Sequence, residues 1–153
     1  MATGELLASL DDINVNLAAP NQVLDAVQPQ LQIDARRVIF SQLSGVFLPA
    51  TIAAWTTPDN TPDTIRGIAG MLIAAKYYSR QVSGDGTTIP AFSQDLYNTA
   101  IAMLAGIRNG TTAVVDDTGA VIADPDAMDF SDLDFWPNNT TTGPYFVIDK
   151  NWA

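Results

Sequence analysis

Apolar positions recur at helical spacing through most of the first 110 residues. Leu10, Ile13 and Leu17 mark a short first helix, and Ser9 with Asp12 three residues on has the form of a capping box. From about Gln28 to Ser44, Leu31, Ala35, Val38, Ile39 and Leu43 fall near the helical period, while Gln32, Arg36 and Gln42 are polar. Pro29 suits the first turn of that helix and Gly45 its stop. LPATIAAW predicts another turn or two, started by Pro49. The clearest helix is TPDTIRGIAGMLIAAKYYSRQVSG, with Thr61 as N-cap, Pro62 in the first position and Asp63 on the positive end of the dipole. It carries two apolar stripes, Ile65-Ile68-Ala69-Leu72 and Met71-Ala75-Tyr78-Val82. A helix apolar on two sides lies in the middle of its domain or turns its second face to another chain. Gly67 and Gly70 leave shallow places where a neighbour can approach. AFSQDLYNTAIAMLAGIRNG adds an amphipathic helix in which Phe92, Leu96, Ala100, Met103, Leu104 and Ile107 share a face and Gly110 ends the run.

The pattern then changes twice. TAVVDDTGAVIAD reads as two short β runs around Asp116-Asp117-Thr118-Gly119, which is hairpin chemistry. Such a hairpin is marginal alone and must pack on the helices or on a partner. Residues 124–153, DPDAMDFSDLDFWPNNTTTGPYFVIDKNWA, show neither period. The expectation is a mainly α protein: a small helical bundle over 1–110, a short β-hairpin over 111–123, and an extended acidic and aromatic C-terminal arm over 124–153.

Composition sharpens this picture. At 153 residues and 47% apolar, with mean hydropathy +0.10, the chain is one globular domain with a real core. The net charge of −10 argues against binding a phosphate backbone, and equally against an anionic membrane surface. The charge is unevenly spread. All six bases outside the arm lie between Arg36 and Arg108, against four acids, so a mildly basic helical middle sits between acidic ends. No histidine or cysteine occurs, which removes disulfides, thiol nucleophiles, Cys/His zinc sites and the usual general base. MATGELLASLDD lacks the basic and apolar regions of a signal peptide, and no run reaches eighteen apolar residues, so a soluble protein made in a cytoplasm is expected.

Three kinds of site were tested against the sequence. The aspartates of DPDAMDFSDLDF have calcium-ligand chemistry, but with Asp124 in position one, Met128 falls at five and Asp129 at the glycine position, so the loop pattern fails. Asp116 and Asp117 are paired carboxylates in a turn, where solvent would keep both ionised and unshifted. No G-x-S-x-G, S-x-x-K or phosphate-loop motif occurs. The Asn109 and Asn139 sequons lack a secretory context. The sequence therefore predicts a non-enzymatic protein without cofactor or metal.

What remains is the arm. Phe130, Phe135, Trp136, Tyr145, Phe146 and Trp152 are six aromatics in a segment with no periodicity of its own. Aromatics of this kind anchor interfaces. They either pack back on their own domain or dock on other subunits. Thirty extended residues span on the order of 100 Å, far beyond one small domain. The aspartates would keep an unbound arm soluble and could pair with Arg36, Arg80 or Arg108 of a neighbour.

Taken in order, SLDDINVNL, QIDARRVIFSQLSG, TPDTIRGIAGMLIAAKYYSR and LYNTAIAMLAGIRNGTT resemble the head-to-tail connector (adaptor) proteins of long-tailed double-stranded DNA phages, over about residues 3–115. The resemblance implies a helical bundle with an extended terminal arm. It also implies a homo-oligomeric ring, commonly dodecameric, between the portal and the stopper or tail-terminator protein. DNA would pass through its channel without specific binding. Such a protein is made in the host cytoplasm and ends in the virion neck. The competing reading is a small acidic binding module, an inhibitor or DNA mimic that caps a basic partner.

Overall fold

Ser9 begins the first helix as its position predicts. Its amide and hydroxyl donate to Asp12 Oδ2 at 2.8 and 2.7 Å, and the Asp12 amide donates back to Ser9 Oγ at 3.3 Å. This closed capping box starts α1, Leu10–Asn14. The structure, a computed structural model, describes residues 6–83 and 88–122. The arm expected over 124–153, with its anchors Phe130, Phe135, Trp136, Tyr145, Phe146 and Trp152, lies outside the described residues.

Four more helices follow. Pro29 occupies the first position of α2, Pro29–Leu43. The predicted apolar face is buried except at Val38, which is half-buried, and Gln32 is buried with it, its amide donating to the Ala8 carbonyl at 3.1 Å. The helix stops without a left-handed Gly45, since among the described glycines only Gly110 and Gly119 have positive φ. Instead the Phe47 amide donates to the Leu43 carbonyl at 3.1 Å, turning the chain inward. The short helix α3, Pro49–Ala53, leads to Trp55, which is buried edge-on against Phe47 and Phe40 at 5.6 and 6.4 Å. A 3-10 turn at Pro58–Asn60 precedes the central helix.

α4 runs from Asp63 to Val82 and packs against α1, α2 and α5, which spans Ala91–Arg108. Its first apolar stripe is wholly buried. The second is buried at Ala75 and emerges at Val82, which is 55% exposed. α4 begins one residue later than the sequence predicts. Pro62 takes the cap position, and the Thr61 hydroxyl donates back to the Thr57 carbonyl at 2.7 Å instead of capping. At Gly70 the backbone of α1 comes against α4, and an added Cβ would lie 2.8 Å from the Asp12 carbonyl carbon.

α5 ends in a Schellman motif. Gly110, at φ 74°, donates to the Ile107 carbonyl at 3.1 Å, and Thr111 to the Gly106 carbonyl at 2.8 Å. The predicted β-hairpin does not form strands. Among the described residues it reduces to one antiparallel bridge, Val115–Val121. At this bridge the Ile122 amide donates to the Val114 carbonyl at 2.8 Å and the Asp116 amide to the Ala120 carbonyl at 2.9 Å, which turns toward α4 the free amide and carbonyl of Val115. Its amide donates to Thr64 Oγ1 at 3.0 Å, and its carbonyl accepts from the Thr64 amide at 3.3 Å, so it supplies a partner for an orphan donor at the α4 N-terminus.

Asp116 organises the turn that follows. Its carboxylate accepts from the Thr118 hydroxyl at 2.7 Å and from the Thr118 and Ala120 amides at 2.9 Å each. The bond from Thr118, with those from the backbone, holds its pKa below the ordinary aspartate value. The sequence reading of an unshifted pair is corrected at this residue. A depressed pKa means the turn is supported at neutral pH, and the support is lost as pH falls through the folded value. In an NMR titration the Thr118 and Ala120 amides should move with a midpoint below that of an unperturbed aspartate, and Asp116→Asn should abolish the transition. A midpoint at or above the unperturbed value would contradict the assignment.

Candidate functional site

Two hollows lie toward opposite ends of α4. The first, about 400 Å³, adjoins its N-terminus and is lined by Trp55, Thr61, Arg66, Asp116, Asp117 and Ile122 among others. Arg66 holds this end together, reaching Asp63 on its own helix at 3.0 Å and Asp12 of α1 at 3.7 Å. Its Nε is buried without a hydrogen-bond partner, so the pair with Asp12 rests on charge attraction alone at that atom. The turn carboxylate of Asp116, its pKa lowered by its hydrogen bonds, is suited to shaping the backbone and not to exchanging protons at neutral pH.

The second hollow is a more apolar groove of about 300 Å³ between the C-terminal half of α4 and the first turns of α5. Ala75, Lys76 and Ser79 form one wall, and Ile89, Ser93 and Tyr97 the other. Ser93 is 2% exposed, yet its hydroxyl has no hydrogen-bond partner. Leaving a hydroxyl buried and unpaired costs on the order of 1–3 kcal/mol. Pro90 in the cap position gives the α5 N-terminus above it no side-chain cap. Ile89 and Tyr97 on the groove wall, and Val82 and Phe92 outside it near the α4–α5 connection, expose large apolar surfaces, and Tyr78 meets Phe92 edge-on at 5.1 Å.

The expected α5 face is corrected here. Phe92, read as inward, is 43% exposed, and Ser93 takes the buried position in register with Ala100, Leu104 and Ile107. The signal was present in the sequence, because positions 93, 100, 104 and 107 also follow helical spacing. A serine at such a position is easily read as outward.

The three arginines expected to meet the arm are placed apart. Arg36, on α2, has its guanidinium 4.7 Å from the Phe40 ring centre, a cation–π contact. Arg80 donates to Gln28 Oε1 at 2.6 Å, and Arg108 to Gln42 Oε1 at 3.0 Å. Gln28 and Gln42 stand at opposite ends of α2, so Arg80 and Arg108 do not form one patch. Lys76 on the groove wall pairs with Asp34 of α2 at 3.1 Å. That contact and the hydrogen bond from Gln30 hold the Asp34 pKa below its ordinary value, the Gln30 bond being the larger cause.

Among the described residues no group of three or more acidic side chains is placed to hold a metal ion, and no helix is long and apolar enough to cross a membrane. The described surface holds one apolar groove with an unsatisfied hydroxyl, and one polar hollow with Ile122 on its rim. Compared with protein families, with curated proteins and with solved structures, the chain matches none.

Proposed function

We propose that this chain is a structural subunit of the neck of a long-tailed double-stranded DNA phage, forming a ring that joins the portal of the filled head to the stopper or tail and continues the DNA channel. The observation that carries this reading is the apolar surface left outside at the junction of α4 and α5. The bundle already buries a full core from Leu7 to Val114, so Val82, Ile89, Phe92 and Tyr97 are surplus to the fold. Exposed apolar surface gathered in one place marks a contact for another molecule. The mainly helical bundle is of the kind the sequence resemblance implies, and the six arm aromatics are suitable anchors for assembly. Charge is compatible with the role. A ring of twelve such chains would carry about −120, and acidic groups facing the lumen would let DNA pass without adhering.

The test is to co-express the chain with the portal protein encoded near it and examine the product by electron microscopy. The portal is included because it can serve as the template for a ring. Rings with a central channel seated on the portal are expected. A stable one-to-one complex with a basic partner, and no ring with or without the portal, would instead identify an acidic binding module.

A further inference from the structure

Resting on the reading that the arm joins copies of this chain, we infer that the α4/α5 groove receives the segment Asp134-Phe135-Trp136 of a neighbouring copy. Three properties of the groove define what fits. Its volume of about 300 Å³ and its walls of Ala75, Ile89 and Tyr97 accept one large apolar side chain. The Ser93 hydroxyl, buried and unpartnered at its wall, requires a polar tip on that side chain. The uncapped N-terminus of α5, an 18-residue helix, favours a carboxylate beside it.

The arm contains three aromatics with a polar tip: Trp136, Tyr145 and Trp152. In an extended segment, residues two apart share a face. Two residues before Trp136 stands Asp134, whereas Gly143 precedes Tyr145 and Lys150 precedes Trp152 at the same spacing. Trp136 alone therefore brings an acid to the helix end while its ring enters the groove. Its indole N–H donates to Ser93 Oγ, and the Asp134 carboxylate accepts from the first-turn amides of α5. Charge favours the same segment. Arg80, one turn beyond Lys76 on α4, has an amide oxygen and no carboxylate as its partner among the described residues. The 12 residues from Ile122 to Asp134 span about 40 Å when extended, enough to leave one bundle and reach the next.

The chain has no cysteine, so single-cysteine variants can report the contact without background. Full-length Gln94→Cys, on the exposed rim of the groove, is mixed with mass-tagged full-length Phe135→Cys at about 1 mM and mildly oxidised. Ile89→Cys, on the exposed part of the groove wall, serves as a second groove variant, and Asn60→Cys, at the opposite hollow, as the control. The groove variants should give the mixed disulfide dimer in at least tenfold higher yield than the control, roughly the ratio set by one well-placed anchor. Adding Trp136→Ala to the Phe135→Cys chain should remove that excess, and adding Asp134→Ala should cut it about two- to fivefold. Equal yields for groove and control, or an excess indifferent to Trp136, would overturn the assignment. Groove-selective crosslinking without rings on the portal would retain the docking and reject the neck role, while rings with equal yields would do the reverse.

Discussion

Replacing Gly70 with alanine is expected to destabilise the protein by about 1–3 kcal/mol, while the same change at Gly67 stabilises it by up to about 1 kcal/mol. Both glycines lie inside α4, where helix propensity favours alanine at each. The difference is what the new methyl group would meet. At Gly67 nothing lies within 4 Å. At Gly70 the methyl would be driven into the Asp12 carbonyl, with the carbonyl carbon 2.8 Å away and the oxygen nearer still. That obstacle is backbone, held by the Ser9–Asp12 capping box and by Arg66, so it cannot swing aside as a long side chain would. Forcing α1 off α4 also uncovers Ile13, which is fully buried. Chemical denaturation of the two variants beside the parent checks the pair. Equal shifts of the same sign would mean that α1 does not press on α4 at this point.

A chain ending at Ala123 should unfold cooperatively with its helical circular-dichroism signal intact and, on the proposed neck role, should fail completely to join heads to tails. The first half follows from the core, whose described members run from Leu7 to Val114, with Ile122 packed partly against it. The second follows from the anchors. Removing the arm deletes Phe130, Phe135, Trp136, Tyr145, Phe146 and Trp152 together, and truncating even one interface hot spot costs upwards of about 2 kcal/mol. Complementation of a phage lacking the gene measures assembly, with circular dichroism as the folding control. Normal yields of infectious particles from the shortened gene would rule out the arm as an assembly element.

The helices were legible because each repeats its apolar residues over several turns, and a long periodic run outweighs any one misplaced side chain. The Ser9–Asp12 box was legible because both partners are local. What escaped depended on partners distant in sequence. Gln32 is buried because the Ala8 carbonyl waits there, a bond across 24 positions. Thr61 surrendered the cap because Val115, 51 residues beyond Thr64, supplies the carbonyl that meets the first turn of α4. The same contact ties the bridged Val115 to α4 through the groups that face away from Val121. Trp55 stood in a stretch read only as the end of a short helix, and its burial between Phe40 and Phe47 is a tertiary event with no periodic trace. In the candidate site, the arginines were visible as charges, but their separation along α2 was not. The groove was hidden because its defining residue is a serine.

The bond between Thr64 and Val115 has a geometric consequence. It fixes the departure point of the chain's last thirty residues at the N-terminal end of α4, about 20 Å along that helix from Ala75–Ser79. If the groove receives a neighbour's arm as proposed, the patch that gives and the patch that receives are different surfaces at different ends of α4. Two copies joined through them satisfy only half their contacts, leaving one open giver and one open receiver, which a two-fold dimer cannot reconcile. Association of this heterologous kind adds subunits until the rotation per step brings the last onto the first, or else runs on as a filament. The subunit number of such an assembly would be set by the tilt of each receiving groove relative to the arm that enters it, an angle that the half-buried Thr64 helps to hold.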